Sequence, residues 1–174
     1  MTAADGPALW FGNVIATASI YSTNFTTASG LLLVANSSQV TQEFSYFAGA
    51  EENSAILPAQ VDVTIEESEL VGDVVVYNGS SVTWSLAEHS TWTGKVVLGE
   101  GGDVDGTVSV ALDGTSKWIV TGDTVLGNFT NEDTSLANVE SAGFTVTYDS
   151  GEEGNAWLNG ATFDLSGGGS LTPA

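Results

Sequence analysis

Apolar and polar residues alternate along most of this chain, in runs too short for helices and broken by polar corners. The stretch SSVTWSLAEHSTWTG, residues 80–94, sets Val82, Trp84 and Leu86 on one face of an extended segment. A polar corner follows, and Trp92 then sits between two threonines. The later stretch GTVSVALDGTSKWIV, residues 106–120, repeats that design. Val82, Leu86, Ser90 and Trp92 match Val108, Leu112, Ser116 and Trp118, each pair 26 residues apart. Trp84 falls on Val110, so the inward alternation is kept. A repeat of this length marks a solenoid, in which each coil buries its apolar face against the next.

Other segments accept the same reading with insertions. Val61, Val63 and Ile65 share one face, followed by an acidic corner and Leu70. Ile20 and Phe25 flank a polar corner that leads to the apolar run 31–34. Phe144, Val146 and Tyr148 make another alternating run, with Phe163 and Leu165 beyond it. Helical periodicity of any length is missing, and 21 glycines punctuate the runs. The expected class is all-β. A β-sandwich also uses alternating strands, but it does not require like residues at a constant interval. A parallel β-helix does, because Trp92 would then lie over Trp118 and Leu86 over Leu112. The chain is expected to form one domain over residues 1–174, with about six or seven coils of roughly 20–26 residues. At ~4.8 Å between stacked strands the rod would be on the order of 30 Å long. Residues 41–60 break the rhythm and are expected to form a lateral loop that packs Phe44, Tyr46 and Phe47 beside the rod.

Several stretches carry a resemblance over nearly the whole chain. They are ALWFGNVIATASIYSTNFTTASGLLLVAN, VVVYNGSSVTWSLAEHSTWTG, VSVALDGTSKWIVTGDTVLGNF and the C-terminal NAWLNGATFDLSGGGSLTPA. Together they resemble the final coils of right-handed, single-stranded parallel β-helix proteins. That family is pectin-lyase-like in fold and occurs as secreted or surface-attached proteins of bacteria and fungi. The most specific parts are Leu112-Asp113, Ser116-Lys117-Trp118, Thr121-Gly122-Asp123 and the run from Leu165 to Gly169. The resemblance implies an adhesin-like role without an established active site. It also implies further coils on the N-terminal side of longer members, so this chain is expected to be a short version or an excised end.

Charge narrows the chemistry. The chain has 22 acidic residues against two lysines, Lys95 and Lys117, for a formal net charge of -20. Nucleic acid and anionic membranes would be repelled, and no apolar run is long enough for a membrane helix. With no cysteine there is neither a disulfide nor a thiolate metal site. Sequons at Asn24, Asn36, Asn78 and Asn128 are compatible with a secreted protein.

Enzymes are common on parallel β-helices, so catalytic sets were sought. A lyase base would have to be Lys95 or Lys117. Hydrolysis needs two placed carboxylates, for which Asp113, Asp123, Glu100, Asp103, Asp105, Glu132 and Asp133 are candidates. In so acidic a chain such pairs arise by chance, and Asp113 stands at a corner where its carboxylate can hold the turning backbone. His89, the single histidine, falls in a polar corner and is expected to be exposed. Thr91 and Thr93 suggest an ice-binding ladder, which Lys117 and Ile119 interrupt one coil later. Glu100, Asp103 and Asp105 gather oxygen ligands on a glycine-rich loop and are weak candidates for calcium, against a plain solvated acidic surface; no cofactor is expected. The resulting expectation is a non-catalytic module, secreted or on the cell surface, with a structural or adhesive role toward a surface glycan or protein. Its rival is a carbohydrate-binding or polysaccharide-degrading β-helix protein. Leu9, Trp10 and Phe11 at the N-terminal end, behind the strand-breaking Pro7, are expected to promote end-to-end self-association.

Overall fold

The computed structural model describes residues 6–37, 57–99 and 105–174. Most of the expected lateral loop, including Phe44, Tyr46 and Phe47, lies outside them, as do Glu100 and Asp103.

The chain winds in successive passes. β1 (Leu9–Gly12) lies ahead of the first full pass, which carries β2 (Ile15–Tyr21) and β3 (Asn24–Asn36). The second carries β4 (Gln60–Glu66) and β5 (Glu69–Val76), and the third β6 (Ser81–Ala87), β7 (Thr91–Gly94) and β8 (Val96–Leu98). Next come β9 (Thr107–Leu112), β10 (Lys117–Val120) and β11 (Thr124–Leu126), then β12 (Phe129–Asn131), β13 (Val139–Glu140) and β14 (Thr145–Tyr148). A 3-10 helix at Glu153–Leu158, β15 (Phe163–Asp164) and β16 (Ser170–Pro173) complete the last pass.

Strands of successive passes pair in parallel, in the orders β12-β9-β6-β4-β2, β1-β3-β5-β7-β10-β13 and β11-β14-β16, and β15 joins β16 antiparallel. The long strands β3 and β5 serve two walls each. Glu69–Val71 of β5 pairs with β7, while Val74–Val76 pairs with β8. The third wall continues from β8 to β11, where the Val96 N–H donates to Thr124 Oγ1 at 3.0 Å. The protein is therefore all-β with parallel sheets, a pattern consistent with a β-solenoid. Side-by-side parallel strands that belong to consecutive passes are not what a sandwich of hairpins produces.

The 26-residue interval holds in space. Val82, Trp84 and Leu86 lie opposite Val108, Val110 and Leu112, and Trp92 lies opposite Trp118. Val61, Val63 and Ile65 extend the same ladder one pass earlier. All these side chains are buried. The Trp92 and Trp118 rings stack with centroids 5.0 Å apart and planes 7° from parallel. Trp84 meets Trp92 edge-on at 5.7 Å, and Phe129 continues the aromatic column from Trp118 at 6.3 Å. Each stacked indole also reaches down one pass: Trp92 Nε1 donates to the Gly72 carbonyl and Trp118 Nε1 to the Gly94 carbonyl. Gly94 has to be glycine here, since a Cβ would lie 2.1 Å from the Gly72 oxygen.

One local expectation is corrected. Phe144 is not part of the inward set; it is 36% exposed. Ala142 and Gly143 take left-handed backbone angles just before it, and its N–H closes a turn onto the Ser141 carbonyl. The strand, and with it the alternation, starts one residue later. Leu171 sits inside β16 opposite Val146. The antiparallel β15 takes the outer edge.

Candidate functional site

The corners between the first and second walls carry most of the polar chemistry. The backbone bends there through left-handed residues, Ser22, Glu67, Glu88 and His89. Such bends leave N–H groups pointing between passes, and a serine follows each corner to take them. Ser68 Oγ accepts from Thr23 N at 3.0 Å, Ser90 Oγ from Ser68 N at 3.2 Å and Ser116 Oγ from Ser90 N at 3.1 Å. All three serines are buried. One pass later the serine gives way to Asn138, whose side-chain amide donates to the Asp113 and Ser116 carbonyls.

Asp113 stands beside this ladder. Its carboxylate accepts from the backbone N–H groups of Thr115, Ser116 and Glu88 at 2.7–2.9 Å. The Thr115 hydroxyl is within 3.1 Å as well. Partial burial works against the charge, but the hydrogen bonds from Thr115, Ser116 and Glu88 outweigh it and hold the carboxyl down at about 2. A group so placed stays ionised and has its lone pairs engaged. It is a fastener between the third and fourth passes, as its corner position predicts.

Next to Asp113 the surface opens into a groove of about 400 Å³ between β9, β12 and the 3-10 helix. Ala111 and Thr130 line it, Glu132 borders it, and the half-buried Trp157 ring lies at its edge. Trp157 is fixed by its Nε1 bond to the Phe129 carbonyl and by a tilted contact with the Phe129 ring at 6.1 Å. Glu132 Oε2 accepts from Gly114 N at 3.2 Å. An aromatic edge with polar groups beside it can take the apolar face and hydroxyls of a sugar. Sequence reasoning did not single out Trp157, because it lies in a Gly- and Asn-rich segment with no alternation. Its spacing from Phe129, 28 residues, is the signal that could have found it.

The other candidates are scattered. Asp123 accepts from Thr145 N, and Asp133 caps its own turn through Ser135 and Ala137. The Ser135 hydroxyl, before the backbone groups, holds the Asp133 carboxyl below its usual range. Asp105, the one described member of the candidate calcium set, accepts from Asn78 N at 2.8 Å. Among the described residues no group of three or more acids or histidines could hold a metal ion. Lys117 pairs with Glu140 at 2.6 Å on the second wall, whereas Lys95 lies between β7 and β8. His89 is exposed, and its backbone N–H donates to Thr115 Oγ1. Thr91 and Thr93 lie opposite Lys117 and Ile119, so the threonine ladder is interrupted as expected. No described helix is long and apolar enough to cross a membrane. Searches of family models, curated proteins and solved structures found no match to this chain.

Proposed function

We propose that this chain is a right-handed, single-stranded parallel β-helix of the pectin-lyase-like kind. In this reading it is secreted or displayed on a cell surface and works without catalysis as a structural or adhesive module. One observation carries the non-catalytic part: Asp113, one of two carboxylates on the groove, spends its oxygens on three backbone N–H groups of two passes, and the other, Glu132, accepts from the Gly114 N–H. A general acid or base has to exchange a proton with substrate near working pH. A carboxyl held near 2 by bonds the fold needs is unsuited to that. The parallel stacking and the 26-residue register support the β-helix reading, and the resemblance adds the handedness and the location.

A second reading, carbohydrate binding, is favoured by Trp157 at the edge of the groove, with Glu132 beside it. It makes a surface glycan the partner of first choice. The test is a glycan array with and without calcium, run beside a reducing-sugar release assay. Retention of a glycan that Trp157→Ala abolishes, with no new reducing ends, is the expected result. Release of reducing ends by the wild type would end the non-catalytic reading.

A further inference from the structure

The two ends of the stack are finished differently. At the C-terminal end each wall finishes on something other than a further long parallel strand. Asn155 Oδ1 takes the Phe129 N–H of β12, Ser141 N donates to the Ser166 carbonyl beyond β13, and β15 runs antiparallel along β16. At the other end β2 is the outermost of the described strands of its sheet. The Val14 carbonyl and the Ser22 N–H point toward the second pass, where they bond Gln60 and Glu66. By strand alternation the backbone groups of Ile15, Thr17, Ser19 and Tyr21 therefore face the open edge. Between β1, β2 and β3 lies an apolar cavity of about 170 Å³, lined by Leu9, Ile20, Phe25 and Leu32. On the outer face of the same strands Trp10 and Ile15 are each 70% exposed and Tyr21 59%. An open strand edge beside an apolar interior is the form that strand addition uses.

Charge says what covers it. None of the 32 residues from 6 to 37 is ionisable as an acid, lysine, arginine or histidine, in a chain of net charge -20. Everywhere else a second copy of this acidic chain would meet like charge. This end alone among the described passes offers apolar contact without that repulsion. Among the described residues the C-terminal walls end on the 3-10 helix, on a single bridge at Ser166 and on the two-residue β15, none of them an edge as long as β2 for head-to-tail growth, so like ends offer the longer contact. We infer that two copies join head to head through the first pass, β2 pairing antiparallel with β2 of the second copy about a two-fold axis. Such an isologous contact uses up both open edges and stops at two.

This inference does not rest on the proposed function, and its test is separate. Sedimentation velocity of the full chain in ~0.15 M NaCl, over roughly 1–200 µM, reads the mass as association proceeds by mass action. A reversible rise to twice the chain mass, and no further, is expected. Thr17→Pro removes an N–H that the second pass does not use, at an exposed edge position where proline is tolerated. It should weaken association at least ~10-fold while the melting curve of the dilute protein is unchanged. Ile15→Glu, which puts a charge on the otherwise uncharged contact, should do the same. A monomer at every concentration overturns the inference, whatever then covers the end. So does growth beyond two copies, or association that neither substitution weakens.

Discussion

Trp84, Trp92 and Trp118 are the three largest fully buried side chains, and their indole nitrogens differ in what they meet. Trp92 and Trp118 donate to glycine carbonyls one pass away, whereas Trp84 Nε1 has no partner among the described residues. Removing Trp118 Nε1 orphans a buried carbonyl, while removing Trp84 Nε1 relieves an unpaired donor. Trp118→Phe should therefore destabilise by about 1–3 kcal/mol more than Trp84→Phe. Urea midpoints at constant slope measure the gap, and equal losses would contradict this account. Asp113 supplies a pH test. Its folded pKa, about 2, lies below the ordinary 3.8, so its stabilisation is complete above pH 3.8 and is lost as pH falls toward 2. Discounted for its exposure, that stabilisation is about 1 kcal/mol. The stability difference between wild type and Asp113→Asn should shrink by this much between pH 4.5 and pH 2, and a constant difference would refute it. Both features were legible in the sequence. The tryptophans declare themselves by a shared interval, and Asp113 by following the last apolar residue before a corner.

At the scale of elements, walls built of regular strands were easier to foresee than the places where a strand is replaced. The ladder from β4 through β6 to β9 follows from alternation at fixed spacing. The double duty of β3 and β5 does not, because their bends, at Gly30 and Gly72, fall inside unbroken strands rather than at a loop. Nor could alternation reveal that Asn155 stands in for a strand. Buried in the 3-10 helix, it takes the Phe129 N–H at 2.7 Å and donates to the Gly127 and Asp149 carbonyls. It thereby completes the floor on which Trp157 rests, so the groove was hidden for the same reason. Asn155→Ala leaves a buried N–H and two carbonyls without that partner. At ~1–3 kcal/mol per orphaned group, a loss of at least about 2 kcal/mol is expected. Hydrogen exchange should show the damage first in β12, and undiminished protection there would mean that the helix holds without its asparagine.

Over the whole molecule the balance is between a packed interior and a surface of one sign. Twenty-two acids face two lysines, and Lys117–Glu140 is the ion pair found among the described residues. Corner carboxylates such as Asp113 and Asp133 gain locally from backbone N–H groups, but those dipoles leave the net charge as it was. Unfolding lets the acids move apart, so their repulsion weighs on the folded state more than on the unfolded one. Salt screens that repulsion over ~8–10 Å at 0.10–0.15 M, a distance that spans two stacked strands. The melting temperature of the dilute protein should therefore rise as sodium chloride goes from near zero to ~0.2 M and then level off. Potassium chloride should act like sodium chloride, since screening depends on ionic strength alone. A rise produced by micromolar calcium at fixed ionic strength would have another origin, namely oxygen ligands that gather on one ion. If melting is flat in all three salts, the acids are spread widely enough that their repulsion does not govern stability.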